Sequence, residues 1–160
     1  MPLADVYAGH WSMSGHRVPD RTTPDEAVFL PGRNPLLLVK PTLWCGQHEV
    51  PTLALATLAS NPFADATPEF FACFEAMMRE ASGVDVQIVR PFERFSKGEV
   101  MQLGSKLPLL LTFSCLAPID GQHCGVCNKC AERQRAFSYL ESGDPTQYAT
   151  PARPEAASAC

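Results

Sequence analysis

Four closely spaced cysteines constrain the fold of this 160-residue chain more than any other feature. Each two-residue gap turns the backbone back toward a common point, and the longer loop supplies a fourth corner. Four thiolates arranged in this way form the tetrahedral sulfur set that Zn²⁺ prefers in closed structural sites. The spacing therefore predicts a metal site, with zinc as the favoured ion, which joins a loop to a helix. The cysteines follow the pattern C-x8-C-x2-C-x2-C and are Cys115, Cys124, Cys127 and Cys130.

Other interpretations of these cysteines remain open, namely an iron–sulfur cluster, disulfides or free thiols. Ferredoxin-type runs end in a cysteine followed by proline, whereas Cys130 is followed by Ala131. Disulfides require an oxidising compartment, and residues 1–20 contain no apolar export signal. We therefore expect a cytoplasmic protein with reduced cysteines. His123 adjoins the group, and we expect it to be a neighbour of the metal site rather than a ligand.

Composition and charge narrow the class of protein. The chain is 46% hydrophobic, which suits a folded domain with a core. No apolar run approaches the roughly 20 residues that a membrane-spanning helix needs, so no membrane partner is expected. The formal net charge of −4 provides no basic surface for nucleic acid. A small-molecule or protein partner is therefore favoured.

The apolar pattern alternates short strands with helices, which favours a parallel α/β layer. Residues 52–58 form an apolar run bounded by prolines, as expected of a buried strand. In residues 84–88 apolar and polar side chains alternate, which is typical of a strand. We predict one α/β domain over residues 1–142 and a disordered tail over 143–160, in which Cys160 is a stray thiol.

Capping residues and apolar periodicity predict the helices. A short helical turn is expected after Thr23, and longer helices are predicted at 36–44, 67–81, 96–106 and 128–140. The first of these contains Pro41, which is expected to kink it. The third begins at a capping box formed by Ser96 and Glu99. The second has one apolar face that we expect to lie in the core, and this face contains Phe70, Phe71, Phe74, Met77, Met78 and Ala81.

Several short strings occur in a fixed order along the chain. They are Leu30-Pro31-Gly32-Arg33-Asn34, Thr67-Pro68-Glu69-Phe70-Phe71, Arg90-Pro91-Phe92, Ser96-Lys97-Gly98-Glu99-Val100 with Leu103-Gly104, and Thr112-Phe113-Ser114-Cys115 leading to the cysteine group. In this order they resemble the 7-cyano-7-deazaguanine synthases, a family of the PP-loop adenine-nucleotide hydrolase superfamily that acts in queuosine precursor synthesis. The resemblance covers approximately residues 16–140, and the ordered combination is more specific than any single string.

This resemblance implies a partial Rossmann-like fold, similar to the adenine nucleotide alpha hydrolases, with a parallel sheet and a C-terminal four-cysteine zinc knuckle and helix. It also implies an ATP-dependent ligase. Such an enzyme adenylates the carboxylate of 7-carboxy-7-deazaguanine, exchanges AMP for ammonia to give an amide, and dehydrates the amide to the nitrile with a second ATP. By motif match, the resemblance implies that the four cysteines hold a structural zinc and that Arg33 and Asn34 contact the nucleotide. Asp65 is expected to bind the substrate by accepting hydrogen bonds from its deazapurine edge.

The chain departs from the family pattern in two places. It lacks the Ser-Gly-Gly-x-Asp-Ser phosphate loop, whose amides hold the ATP pyrophosphate. Its loop after the central strand, residues 60–68, also differs from the Gly-Tyr-Pro-Asp-Cys-type string of many members. We expect the C-terminal part of a ligase, in which missing sequence or a partner chain supplies the phosphate loop and with it ATP and Mg²⁺. The alternative is a catalytically inactive, zinc-stabilised binding or scaffold module. Self-association is a further expectation, because half a sheet exposes a strand edge.

Overall fold

The computed structural model describes residues 3–150, which divide into two compact units. Among the described residues, unit 1 combines 3–28 with 101–150, and unit 2 is Phe29–Val100. We predicted one domain for this region, whereas the structure divides it into two compact units. The part of the predicted tail beyond Thr150, including Cys160, lies outside the described residues. Within residues 3–150, every helix is too short or too polar to span a membrane.

Unit 2 is built on a small parallel sheet, as the alternating pattern predicts. Strand β1 is Thr52–Ala54 and strand β2 is Gln87–Val89, with Thr52 opposite Gln87. Strand β1 is shorter than the predicted run of 52–58, and it is not a buried strand as predicted, because Thr52 and Ala54 are exposed and only Leu53 is partly buried. Its partner β2 ends just before Pro91, which has no amide hydrogen for the ladder, so that the pairing stops there.

Two helices of fifteen residues, α2 at Arg33–Gln47 and α3 at Pro68–Ser82, cover one face of this sheet. Helix α3 begins where predicted, because the Thr67 hydroxyl oxygen accepts the Phe70 amide at 3.2 Å. Its apolar face is narrower than predicted, since Met77 is 50% exposed and Ala81 is also exposed. The buried core between these elements consists of Leu38, Phe71, Phe74, Met78 and Ile88.

Helix α2 continues through Pro41, although we predicted a shorter helix with a kink. Proline removes the hydrogen bond to the carbonyl of Leu37, and the Leu37 side chain lies on the exposed side of the helix. The opposite side is buried on both sides of Pro41, at Leu38 and Thr42. Packing of this continuous buried stripe therefore sustains the helix past the proline.

Unit 1 contains two further helices, α1 at Trp11–Ser14 and α5 at Asn128–Phe137. Helix α4, Lys97–Leu103, lies at the boundary between the units in sequence. The predicted capping box starts α4, because the Ser96 amide donates to the Glu99 carboxylate at 2.7 Å and the Glu99 amide donates to the Ser96 hydroxyl at 3.3 Å. Short 3-10 turns lie at Asp25–Val28, Ala64–Ala66 and Leu109–Leu111.

The core of unit 2 can be tested with two adjacent leucines. Leu38 is 2% exposed and Leu37 is 58% exposed. Replacement of Leu38 by alanine should lower the free energy of unfolding by about 2–5 kcal/mol, because it leaves a cavity among Phe71, Phe74 and Ile88. The matched change Leu37→Ala should cost less than about 0.5 kcal/mol. Urea denaturation of both variants measures the difference, and equal losses would contradict the packing described here.

Candidate metal centre

The four predicted cysteines converge in unit 1. Their sulfur atoms all lie within 4.8 Å of one another, and no other group of three or more potential metal ligands occurs among residues 3–150. The Cys115 and Cys127 sulfurs are 3.9 Å apart, as are those of Cys124 and Cys130. Four sulfurs around one tetrahedral ion with bonds of about 2.3 Å would be about 3.8 Å apart. The arrangement therefore has the dimensions of a four-thiolate metal site.

The cysteines of this cluster are separate thiols rather than disulfides. The closest sulfur pairs are far longer than the roughly 2.05 Å of a disulfide bond. Three of the four residues are buried, and Cys115 is partly buried. The other described cysteines, Cys45 and Cys73, lie in unit 2 and are outside the cluster.

Backbone amides point at the sulfurs, as they do where a sulfur carries negative charge. Amide-to-sulfur distances of 3.2–3.4 Å join Leu116 and Cys130 to Cys127, Cys124 to Cys115, and two further amides to Cys124. The bonds to Cys124, and the bond from the Cys130 amide to Cys127, form because each two-residue gap folds the following amides back over the preceding cysteine. The other two bonds join the Cys115 segment to the knuckle. The loop therefore offers an environment that stabilises thiolates.

The thiol pKa values diverge within the cluster. Burial raises the pKa of Cys115 and, to a greater extent, that of Cys130. Burial also opposes ionisation of Cys127, but the amides of Leu116 and Cys130 and the neighbouring thiols lower its pKa to about 7. Cys127 therefore becomes a thiolate more readily than Cys115 or Cys130, and a bound cation would favour ionisation of those two.

Gly125, between the first two knuckle cysteines, has a conformation that the turn requires. Its φ of +84° is unfavourable for residues with a Cβ, and a Cβ at this position would collide with the backbone oxygen of Thr150. After the turn, the Cys127 sulfur accepts the Cys130 amide at 3.4 Å and so caps helix α5. The cysteine loop thus joins directly to a helix, as the spacing predicts.

The N-terminal segment supports this loop through backbone hydrogen bonds. The Asn128 amide donates to the Pro19 carbonyl at 2.9 Å, and the Arg21 amide donates to the Val126 carbonyl at 3.0 Å. The Asn128 side chain also donates to the Thr23 carbonyl at 2.9 Å. No periodicity in the sequence indicates these contacts, because they are backbone bonds between distant segments.

Residues 143–150 pack beside the cysteine loop, whereas we predicted that a disordered tail begins at Gly143. The Ala149 amide donates to the His123 carbonyl at 2.9 Å, and the Thr150 amide donates to the Cys124 carbonyl at 3.2 Å. The Tyr148 hydroxyl donates to Asp144 at 2.6 Å. These bonds order the segment in place even though its composition is typical of a tail.

His123 is buried next to the cluster but directs a ring nitrogen elsewhere. Its Nε2 lies 3.2 Å from the Ser114 amide and accepts that hydrogen, which assigns the ring proton to Nδ1. Burial, and then the positive charge of Arg133, lowers the pKa of His123. These contacts favour a neutral ring, which packs at a tilt against Phe113 and edge-on against Tyr148.

Arg133 is a supporting residue that sequence reasoning missed. Its guanidinium is buried and donates to the hydroxyls of Thr146 and Thr112 at 2.7 and 2.8 Å and to the Leu109 carbonyl at 3.2 Å. It therefore connects helix α5 to the segments on both sides of the cysteine loop. The available signal was its position three residues after Cys130, which places both residues on one face of α5.

The other predicted site residues, Arg33, Asn34 and Asp65, meet in unit 2. The Asp65 carboxylate accepts the Asn34 backbone amide at 3.1 Å, and the Asn34 side-chain amide donates to the Asp65 carbonyl at 2.7 Å. Asn34 and Asp65 are buried, so Asp65 serves as a cap for the start of helix α2. Arg33 is partly exposed, and its guanidinium lies over the Phe63 ring at 5.4 Å.

Asp65 lies in the loop that follows β1, beyond the carboxyl end of that strand, and its carboxylate meets the start of helix α2, where Arg33 and Asn34 lie. Ligands of open parallel sheets bind at this end. This position suits the predicted nucleotide and substrate roles. Asn34 and Asp65 are buried and hydrogen-bonded to each other, so Arg33 is the residue of the three whose charge is partly exposed. These roles stay predictions.

Three known proteins that resemble this chain share one description. The sequence model of the family described as "Queuosine biosynthesis protein QueC" matches residues 10–141. The 7-cyano-7-deazaguanine synthase of Koribacter versatilis (strain Ellin345) is 31% identical over 140 residues, which are 84% of this chain and 56% of that protein.

Two further proteins of the same name give similar values. The relative from Brucella canis (strain ATCC 23365 / NCTC 10854 / RM-666) is 31% identical over 150 residues, or 90% of this chain and 60% of that protein. The relative from Ruegeria sp. (strain TM1040) is 32% identical over 153 residues, or 92% of this chain and 61% of that protein. The match therefore spans somewhat more than half the length of each of these three relatives.

The cluster geometry predicts one metal ion per chain. Elemental analysis of protein purified without added metal should find a stoichiometry near one. Replacement of Cys127 by serine should abolish this metal and increase amide hydrogen exchange over residues 115–140, because the metal holds this segment together. The matched change Cys73→Ser, at an exposed cysteine of unit 2, should leave both properties unaltered. Absence of metal from the wild-type protein would contradict the prediction.

Proposed function

This chain belongs to the QueC family of queuosine biosynthesis proteins, and we propose that it is the C-terminal, metal-binding part of an ATP-dependent ligase like 7-cyano-7-deazaguanine synthase. The reaction would convert 7-carboxy-7-deazaguanine and ammonia to the nitrile in queuosine precursor synthesis. The observation that carries the proposal is the family match over residues 10–141 together with the convergent four-cysteine cluster. We propose only a part of such a ligase because the match spans 56% and 61% of these relatives.

We further propose that the metal is Zn²⁺. Four cysteine sulfurs suit zinc or an iron–sulfur cluster, and the single-ion spacing of 3.9 Å between sulfurs favours zinc. Zinc in such a closed set has a structural role, since four protein ligands leave no position for substrate or water. Cys115, Cys124, Cys127 and Cys130 would hold it, and a reducing compartment such as the cytoplasm would keep them as thiols.

The proposed chemistry assigns positioning roles to residues of unit 2. The Arg33 guanidinium supplies a positive charge at the carboxyl end of β1, where it suits a phosphate oxygen or a carboxylate. Asn34 and Asp65 fix the start of helix α2, on which Arg33 lies. The purine-like edge of the substrate would meet this loop. Asp65 then acts on the ligand mainly by holding its neighbours, because its carboxylate already accepts two hydrogen bonds from Asn34.

Adenylation also needs donors that hold the pyrophosphate of ATP, and these 160 residues contain no Ser-Gly-Gly-x-Asp-Ser string. We propose that a further segment or a partner chain carries the phosphate loop and brings ATP and Mg²⁺. The alternative function is a catalytically inactive, zinc-stabilised binding or scaffold module derived from the family. The same missing string favours this alternative, so a reconstitution experiment is needed to separate the two.

The 160-residue chain alone should not release AMP from ATP in the presence of 7-carboxy-7-deazaguanine, ammonia and Mg²⁺. Catalysis of this step depends on positioning and on charge stabilisation of the phosphates, for which the phosphate loop is needed. Addition of a phosphate-loop-bearing chain should start the release. Chromatographic measurement of AMP tests both statements. Turnover by the pure chain would show that it contains a phosphate site, and no turnover in any mixture would favour the scaffold module.

In the reconstituted enzyme, replacement of Arg33 by alanine should lower kcat/KM for AMP formation by about tenfold or more, as expected for loss of a charged hydrogen bond. Lys40 is also on helix α2 but exposed and outside the site, so Lys40→Ala is the matched control and should have little effect. Equal activity of the two variants would remove Arg33 from the proposed site. Thermal unfolding of both variants checks that the loss is not due to instability.

A further inference from the structure

Phe63 is held in place by the backbone of its own loop. It lies in residues 60–68, the loop after β1 that departs from the family pattern. The Asn61 side-chain oxygen accepts the Phe63 amide at 3.1 Å, and the Ala66 amide donates to the Phe63 carbonyl at 3.0 Å. Pro62 restricts the backbone directly before it. The loop therefore fixes the direction in which the Phe63 side chain leaves the backbone.

Two side chains lie against the Phe63 ring. The ring of Phe29 stacks on it, with centroids 5.1 Å apart and an angle of 26° between the two planes. The Arg33 guanidinium lies over it, with Cζ 5.4 Å from the ring centroid. A cation within about 6 Å of an aromatic centroid is attracted by the electron-rich face of the ring. Phe63 is therefore a partner of Arg33, and Phe29 supports the ring.

The other end of the Arg33 side chain is fixed at the start of helix α2. Arg33 is the first residue of this helix. The next residue, Asn34, is hydrogen-bonded to Asp65 through its backbone and side-chain amides. An arginine that is restricted at both ends before binding loses less conformational entropy when it contacts a ligand.

The positive charge of Arg33 is available to a ligand. Its guanidinium has no hydrogen-bond or ion-pair partner within residues 3–150, and the Asp65 carboxylate accepts hydrogen bonds from Asn34 instead. Arg33 is also partly exposed. A guanidinium over an aromatic ring keeps its N–H groups for other acceptors and can donate two of them to one carboxylate or phosphate.

We propose that Phe63 is a positioning residue that holds the Arg33 guanidinium for an oxyanion of the ligand, a carboxylate or a phosphate, an inference that rests on the proposed function. Asp65 fixes the start of the helix that carries Arg33, and Phe63 holds the guanidinium itself. Two residues of the 60–68 loop thus act on the two ends of one side chain. Neither needs to contact the oxyanion.

NMR of the Arg33 Nε–H group tests the contact, because a ring current shifts a proton above an aromatic face upfield. Absence of the signal from Arg33→Lys assigns it. Phe63→Leu keeps an apolar side chain but removes the ring, so the signal should move downfield, whereas Phe63→Tyr should leave it near the wild-type position. The same position in the wild type and Phe63→Leu would overturn the proposal.

The wild-type chain provides a measurement that needs no variant. A nuclear Overhauser contact is expected between the Arg33 side chain and the ring protons of Phe63. Its absence would overturn the proposal even if Phe63→Leu does not fold.

Matched ligands test the oxyanion in the full 160-residue chain. The compounds 7-carboxy-7-deazaguanine and 7-deazaguanine differ by one carboxylate, and AMP and adenosine differ by one phosphate. Calorimetry should find that the wild type binds the anionic member of at least one pair more tightly than the neutral member. The pair with this difference identifies the oxyanion, and equal affinities within both pairs would overturn the proposal.

Phe63→Leu should weaken binding of that anionic ligand by about threefold or more, as expected for loss of a cation–π contact, and should leave its neutral analogue unaffected. Phe63→Tyr should restore the wild-type affinity. The matched control is Phe95→Leu, at a second half-buried ring of unit 2 that contacts Phe92 instead, and it should alter neither affinity. Equal weakening of the anionic and neutral ligands by Phe63→Leu would indicate general damage to the loop and overturn the positioning role.

AMP release separates this inference from the proposed function. If the reconstituted mixture with Phe63→Leu forms AMP with the wild-type kcat/KM, the positioning role is wrong and the proposed function stands. If Phe63→Leu weakens only the anionic ligand but no mixture forms AMP, the positioning role stands and the proposed function fails.

Discussion

The convergence of four cysteine sulfurs is the interaction on which the order of unit 1 depends. Its buried cluster consists of Cys124, Cys127 and Cys130. The other buried apolar residues of this unit lie outside that cluster and are Val28, Ala131, Ala136, Phe137 and Leu140. The helices of this unit have four and ten residues, too short to be stable alone in water. A shared metal ion would supply the cohesion that so small a core lacks.

The same cluster explains why distant parts of the chain are ordered beside it. Pro19 and Val126 take part in backbone bonds between the N-terminal segment and the cysteine loop, and Ala149 and Thr150 bond to the loop from the other side. Arg133 adds bonds from helix α5. Each of these contacts needs the cysteine loop to have one fixed conformation, which four ligands of one ion would enforce.

Unit 2 depends on a different constraint, namely the packing of two helices on one face of a parallel strand pair. Leu38 and Phe71 are each 2% exposed within that core. Asp65 and Asn34 interlock at the start of helix α2 and so hold Arg33 at the carboxyl end of β1.

Local signals in the sequence predicted the parts of the fold that depend on neighbouring residues. The capping box at Ser96, the cap at Thr67 and the parallel arrangement of the strands are confirmed. Features that depend on tertiary contacts were missed. Helix α2 passes Pro41 because of buried packing, and Met77 is exposed because the sheet covers only part of the α3 face.

The candidate sites also combine features that the local sequence predicts with features that depend on tertiary contacts. Spacing alone was enough to predict that the four cysteines converge, because short gaps restrict the path of the chain. The family resemblance selected Arg33, Asn34 and Asp65, but only the structure reveals that Asp65 caps the helix that carries Asn34. Residues 143–150 have the composition of a tail, and backbone bonds that leave no pattern in composition hold them at the loop.

X-ray absorption at the metal edge of the purified 160-residue protein tests the central claim, a four-thiolate zinc site, most directly. The account predicts a zinc edge and four sulfur ligands at about 2.3 Å, with no nitrogen or oxygen ligand. An iron edge with short iron–iron scattering, or a zinc shell that contains nitrogen from His123, would contradict it.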